Sequence, residues 1–170
     1  HGGALGLQLT AAWSVLGGEA GSGYGTSVAL AGDVNSDLVS DVLVGVPLAD
    51  EAGTDRGKVY CYRGSVGAGL VAAPFWTFSG LQNNAQLGLS VAGAGDLNGD
   101  GRSDVVVGEP NYDASLTDRG RVHVFHGNGA GLTLSVTRDG PSSAAQFGYA
   151  VSAAGDMNGD GYGELLVGAS

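Results

Sequence analysis

With 170 residues the chain is long enough for one domain with a real hydrophobic core, and no run in it is long and apolar enough to form a membrane-spanning helix. Its 33 glycines follow no Gly-X-Y period, which excludes a collagen-like rod. A formal charge of −10 argues against a nucleic-acid partner, since phosphate binding needs clustered Lys and Arg.

His1 is no initiator, and the chain reads as a mature product or an excised segment. In chain order the opening "HGGALGL" resembles "HGNGAGL" at 126–132, so the chain is expected to start where a strand has just ended. "AAWSVLG" (11–17) comes next, and it returns as "PFWTFSG" (74–80) and more weakly as "LSVTRDG" (134–140). An aromatic residue or Leu followed by Gly then opens "YGTSVALAGD" (24–33), repeated as "LGLSVAGAGD" (87–96) and "FGYAVSAAGD" (147–156). Each of these runs into an acidic loop: "DVNSDLVSD" (33–41), "DLNGDGRSD" (96–104) and "DMNGDGYGE" (156–164). An apolar run ending in Gly follows, as "DVLVGVP" (41–47), "DVVVGEP" (104–110) and "ELLVGAS" (164–170). Finally "TDRGKVYCYRG" (54–64) matches "TDRGRVHVFHG" (117–127).

The apolar runs are four to eight residues long, rich in Val, Leu and aromatics, and bounded by Gly, Asp, Asn and Pro, so they are predicted to be strands. "VLVG" and "VVVG" are apolar throughout, as strands buried on both faces should be, while "VYCY" and "VHVF" alternate. The Gly-Asp pairs at 32–33, 95–96 and 155–156 mark a period of 60 to 63 residues. Each repeat thus supplies four short antiparallel strands, here named A (before the acidic loop), B (after it), C (the "TDRG" segment) and D (the "WSVLG" type).

An all-β chain of repeated four-stranded sheets points to β-propeller blades. An open β-solenoid is the rival, but its repeats are usually shorter and its sheets parallel. Repeats of about 11–73, 74–131 and an incomplete 132–170 are expected, fewer than the four to eight blades of a closed ring. The segment is therefore expected either to belong to a longer propeller or to close a ring with other copies of itself. Exposed strand edges at ragged ends favour the former.

Nine of the 17 acidic residues lie in the three loops. Crowding like charges in this way is costly unless a cation sits among them. In the second loop, side-chain oxygens fall at loop positions 1, 3, 5 and 9, and a carbonyl is available at position 7. That donor set suits Ca²⁺, which takes six to eight hard oxygen ligands, while Zn²⁺ would want His or Cys. The last acid at position 9 and the flanking strands distinguish the loop from an EF-hand. Asx-turns closing hairpins without metal are the bland alternative.

The spaced motifs "SVA.AGD.NGDG..D", "VVVG.P" and "G.V.VF.G" resemble the FG-GAP repeat of the integrin α-subunit β-propeller and its bacterial secreted relatives. The resemblance implies a calcium-binding propeller of seven blades, with strand D joining the blade before the next A, B and C. Carried over position by position, it implies up to three Ca²⁺ ions. The first would bind Asp33, Asn35, Asp37, the Val39 carbonyl and Asp41. The second would bind Asp96, Asn98, Asp100, the Arg102 carbonyl and Asp104. The third would bind Asp156, Asn158, Asp160, the Tyr162 carbonyl and Glu164. Leu38 stands where the other loops have Gly at position 6, and is expected to weaken the first site. Glu164, at position 9 of the third loop, is expected to reach the ion with shifted geometry.

No catalytic constellation is present, so the chain is not expected to be an enzyme. His123 is expected to be a surface or packing residue and not a ligand, with His126 on the opposite face of the same strand. Glu109, Asp113 and Asp118 are expected to share a solvated loop. Cys61, the lone cysteine, reads as a small core residue. The A–B loops should lie on one face of the blades. On the other lie the B–C loops (46–57 and 109–120) and the D–A loops (80–86 and 139–146). Loops on a rigid scaffold carry recognition, and Asn83, Asn84, Tyr112 and Asp113 are the candidate ligand contacts. "TDRG" reads as a turn into strand C. The expected role is an extracellular or cell-surface (secreted) adhesion and interaction module with a protein or glycan partner. A carbohydrate-binding lectin, with Trp13 and Trp76 lining pockets, and a non-catalytic appendage of a secreted enzyme are the alternatives.

Overall fold

The computed structural model describes residues 2–3, 6–7, 13–51, 53–67 and 69–170, and all regular structure in them is β. A short hairpin of β1 (Gly2–Gly3) and β2 (Gly6–Leu7) comes first. The first complete sheet contains β3 (Ser27–Gly32), β4 (Asp41–Val46), β5 (Lys58–Ser65) and β6 (Gly69–Ser79), side by side in chain order and antiparallel. The second repeats this with β7 (Val91–Gly95), β8 (Asp104–Glu109), β9 (Arg121–Asn128) and β10 (Gly131–Asp139). A third hairpin pairs β11 (Ala150–Gly155) with β12 (Glu164–Gly168). These are consecutive propeller blades, and each strand D closes the sheet of the A, B and C before it. The strand D expected at 11–17 begins with Ala11 and Ala12, which lie outside the described residues, and 13–17 form no strand.

The Gly-Asp pairs have a backbone cause. The A–B pairing slips register just before each loop, between Leu30 and Gly32, Gly93 and Gly95, and Ala153 and Gly155. Gly32, Gly95 and Gly155 take left-handed φ values of 77°, 72° and 72°, the geometry of a bulge that bends the strand into its loop.

Blades pack through two glycine contacts. Gly45 in β4 lies against the carbonyl of Gly88, and Gly108 in β8 against that of Gly148, so a Cβ at either strand position would strike backbone. The same carbonyls accept hydrogen bonds from Ser27 (2.8 Å) and Ser90 (2.7 Å). The Leu-Gly and Phe-Gly pairs of one repeat thus seat on the strand B glycine of the repeat before it.

Between the first two blades, Leu43, Val59 and Cys61 meet Leu87, Val105, Val107 and Phe125, with Trp76 and Phe78 packed alongside. On the other side of β8, Val106 joins Val122 and Val124 against Phe147, Val151 and Leu165. Both faces of β8 are thus covered, as its unbroken apolar run predicts, and burying each valine contributes roughly 1.5–3 kcal/mol. The alternation expected of "VHVF" does not occur: Val122, His123, Val124 and Phe125 are all buried. The reason is that β9 lies in the same sandwich, its two faces serving the two clusters.

Candidate metal centres

The three acidic loops fold alike, each around its first carboxylate. In the second loop Asp96 Oδ1 accepts the N–H groups of Gly99 (2.7 Å) and Asp100 (3.1 Å), while Oδ2 accepts that of Gly101 (2.8 Å). In the third, Asp156 accepts those of Gly159 (2.6 Å), Asp160 (3.2 Å) and Gly161 (2.9 Å). In the first, Asp33 accepts those of Asp37 (3.1 Å) and Leu38 (2.8 Å). Position 3 follows the same plan, since Asn35, Asn98 and Asn158 each accept the N–H of the aspartate two residues on, at 2.8–2.9 Å. Position 5 does too: Asp37, Asp100 and Asp160 each accept the N–H of Val39, Arg102 or Tyr162 at 2.9 Å. These are Asx-turns; Oδ1 of Asp96 and of Asp156 takes two donors, while Oδ2 of each takes one and keeps a lone pair.

The first loop reaches this shape without glycine. Ser36 and Leu38 take φ values of 66° and 69°, matching Gly99 (78°) and Gly101 (83°). Strain therefore falls at position 4 as well as at position 6, where the sequence pointed. The Leu38 side chain is 93% exposed, so no packing offsets it.

The loops differ most at position 9. Asp41 and Asp104 are wholly buried. Asp104 accepts Leu97 N–H at 2.8 Å and Gly127 N–H, at the end of its blade's strand C, at 3.0 Å. Asp41 does the same with Val34 (3.3 Å) and Gly64 (3.0 Å). Glu164 keeps the position 2 contact, accepting Met157 N–H (2.5 Å), but its other oxygen accepts the Asn158 side-chain amide (2.9 Å), turning the carboxylate into its own loop. Asp156, Asp160 and Glu164 consequently each bring an oxygen within 4.8 Å of the others. Two oxygens bound to one Ca²⁺ at about 2.4 Å lie no more than about 4.8 Å apart, so the cluster has the right dimensions. Arginines stand near the fifth-position carboxylate in the other two loops, Arg63 at 4.0 Å from Asp37 and Arg102 at 3.6 Å from Asp100.

Electrostatics separate the loop-opening and loop-closing acids. Burial lifts the carboxyl groups of Asp41 and Asp104 above the ordinary range, with their N–H donors working against it. For Asp156, N–H donation from Gly161 and Gly159 holds the carboxyl below that range. Asp96 also ends below it; burial pulls upward there, but donors from Gly101, Gly99 and Asp100 outweigh it.

On the opposite loops, the candidate contact residues are tied into the scaffold. Asn83 Oδ1 accepts Arg56 Nε–H (2.7 Å), and Asn84, at φ 61°, donates its N–H to Thr54 (2.8 Å). Asp113 accepts Asp118 N–H at 2.7 Å, and the Arg121 guanidinium stacks 3.8 Å from the centre of the Tyr112 ring. Asn83, Asn84 and Asp113 are exposed and Tyr112 is half-buried. "TDRG" does more than turn. It pairs with the following D–A loop through Gly57–Leu87 and Gly120–Phe147 bridges.

Glu109 does not share the solvated loop expected for it. It ends β8 at 2% exposure, and its carboxylate meets His123 Nε2 at 2.7 Å. Of the surface and packing roles expected for His123, it takes the packing one, beside Phe78 and Phe125. The equivalent pair in the first blade is Val46 and Tyr60, so only a comparison of repeats at the paired strand ends could have signalled it. Trp76 stacks against Phe78 and meets Phe125 edge-on as part of the core. Cys61 is fully buried, and burial pushes its thiol up.

The FG-GAP repeat pattern matches residues 24–62, 87–125 and 147–170, more than half of the chain and in phase with the blades. The chain belongs to the FG-GAP repeat family. Human integrin alpha-IIb is 37% identical over 86% of this chain and 14% of its own length. Integrin alpha-5 of Xenopus laevis is 31% identical over 96% of the chain and 16% of its own length. Human integrin alpha-7 is 35% identical over 86% and 12% respectively. This FG-GAP chain therefore spans about one-seventh of the length of these integrin α relatives. No helix among its described residues is long and apolar enough to cross a membrane.

Proposed function

We propose that this FG-GAP segment is a calcium-stabilised interaction module of an extracellular or cell-surface protein, one part of a larger integrin-like propeller. Ca²⁺ is held by the three A–B loops through the residue sets that the FG-GAP resemblance implies. The ion locks each hairpin, and the opposite B–C and D–A loops present a protein ligand with a rigid surface that includes Asn83, Asn84, Tyr112 and Asp113. The observation that carries the calcium reading is the convergence of Asp156, Asp160 and Glu164 within 4.8 Å, in a loop whose backbone path the other two share. Millimolar extracellular calcium suits exposed loops of modest affinity, which supports a location outside the cell.

Calorimetric titration of the chelated protein tests this. Ca²⁺ should bind with up to three ions per chain, and Mg²⁺ should bind more weakly. Ligand linkage then raises stability by about 2.7 kcal/mol for each site at a hundredfold excess over its dissociation constant. An absence of binding heat, with unfolding unchanged by chelator, would overturn the proposal.

A further inference from the structure

The first two loops are joined by a single peptide unit. Ser103 N–H donates to the carbonyl of Asp33 at 2.9 Å, linking position 8 of the second loop to position 1 of the first. The contact is close: a side chain on Gly32 would strike Ser103, and the Cβ of any residue replacing Gly127 would lie 2.7 Å from the Val34 carbonyl oxygen. The other end of the same peptide is the carbonyl of Arg102, the expected position 7 ligand of the second loop. In a planar trans peptide the C=O and N–H point in opposite directions, so fixing one aims the other. An ion that draws the Arg102 carbonyl inward therefore holds the Ser103 N–H outward, onto Asp33.

We propose that the first and second loops are coupled calcium sites, the Arg102–Ser103 peptide carrying the coupling. The inference rests on the calcium reading of the loops. Occupancy of the second loop fixes the backbone of Asp33, whose carboxylate opens the first loop, and so reduces what binding must order there. The first loop has the most to gain, since Ser36 and Leu38 must both be held at positive φ. The third loop lacks the link. Among the described residues Gly163 makes no such hydrogen bond to Asp96, and that boundary is a packing contact of the Tyr162 ring over Gly99.

The test is a Ca²⁺ titration of the whole chain, followed by the amide signals of Leu38 and Val39, Gly99 and Gly101, and Gly161. Asp100→Ala, which disables the second loop, should raise the midpoint of the first about fivefold, within the usual range of coupling between sites. Reciprocity then requires Asp37→Ala to raise the second loop's midpoint by the same factor. The third loop should move less than twofold in both variants. Should Asp100→Ala lose the wild-type calcium-free spectrum, Asp100→Asn replaces it. Independent midpoints in the first two loops overturn the coupling alone. An equal shift of the third loop overturns the peptide route. If no amide in any wild-type loop saturates, the calcium reading falls and the coupling with it.

Discussion

In the second loop the closing carboxylate is wholly buried and spends both oxygens on backbone, with Asp104 tying Leu97 to Gly127 at the end of strand C. In the third loop the same position holds Glu164, one methylene longer, whose oxygens turn back to Met157 and Asn158. Two carboxylates at one repeat position thus make different contacts among the described residues, where strand C stands beside Asp104 and none stands beside Glu164. Asp104 latches the hairpin loop to its own blade, and Glu164 completes a cluster of oxygens. The acid at position 9 is a scaffold residue first wherever strand C stands beside it, and its contribution to an ion is added to that.

The largest expected effect follows directly. In chelator, Asp104→Ala leaves one buried N–H (Gly127) and one partly buried N–H (Leu97) without acceptors and should destabilise the protein by about 2–4 kcal/mol. Glu164→Ala, in an exposed loop, should change calcium-free stability by less than about 0.5 kcal/mol. Denaturant unfolding of both variants checks the pair. Equal losses would mean that the two carboxylates are not distinguished by burial, and the comparison would collapse.

Much of this architecture is written locally. Gly-Asp pairs mark bulges, and runs such as "VVVG" mark strands covered on both faces. Acids at alternate positions mark loops that wrap an oxygen-lined space. The position 9 latch was less accessible, because Gly64 and Gly127 approach Asp41 and Asp104 only once strand C has paired with strand B. The Glu109–His123 pair is hidden for the same reason, as its members sit on neighbouring strands and its counterparts are Val46 and Tyr60. Ser36 shows a third kind of gap. Gly99 and Gly159 mark position 4 in the other two loops, and the backbone path shows that it takes the left-handed conformation as much as position 6 does.

A middle-sized effect separates the first loop from the second. Leu38 and Gly101 share the left-handed conformation, at φ 69° and 83°. Gly101→Leu should therefore cost about 1 kcal/mol and weaken Ca²⁺ at the second loop several-fold. Leu38→Gly should strengthen the first loop by a similar factor. Its gain in calcium-free stability should be smaller, because glycine also frees the unfolded chain by roughly 0.5–1 kcal/mol. Loop-resolved calcium midpoints of the two variants make the check, and shifts in the same direction would show that side-chain strain at position 6 does not set affinity.

The smallest effect concerns protons. Burial places the folded Asp104 carboxyl above the ordinary aspartate value of 3.8. Backbone donors from Gly161 and Gly159 place that of Asp156 below 3.8. A raised value means that the folded state holds its proton more tightly than the unfolded chain does. The proton-linked part of the Asp104 contribution, separate from its acceptance of the two N–H groups, is therefore fully present below 3.8 and lost as pH rises through the folded value. A depressed value has the opposite sign, so the Asp156 contribution is present above 3.8 and lost as pH falls through the folded value. Screening by solvent keeps the latter small, since Asp156 is exposed. Carboxyl shift titrations in chelator should give midpoints on opposite sides of 3.8. If both lay below it, N–H donation would outweigh burial at Asp104, and the latch would then contribute more at neutral pH than its buried position implies.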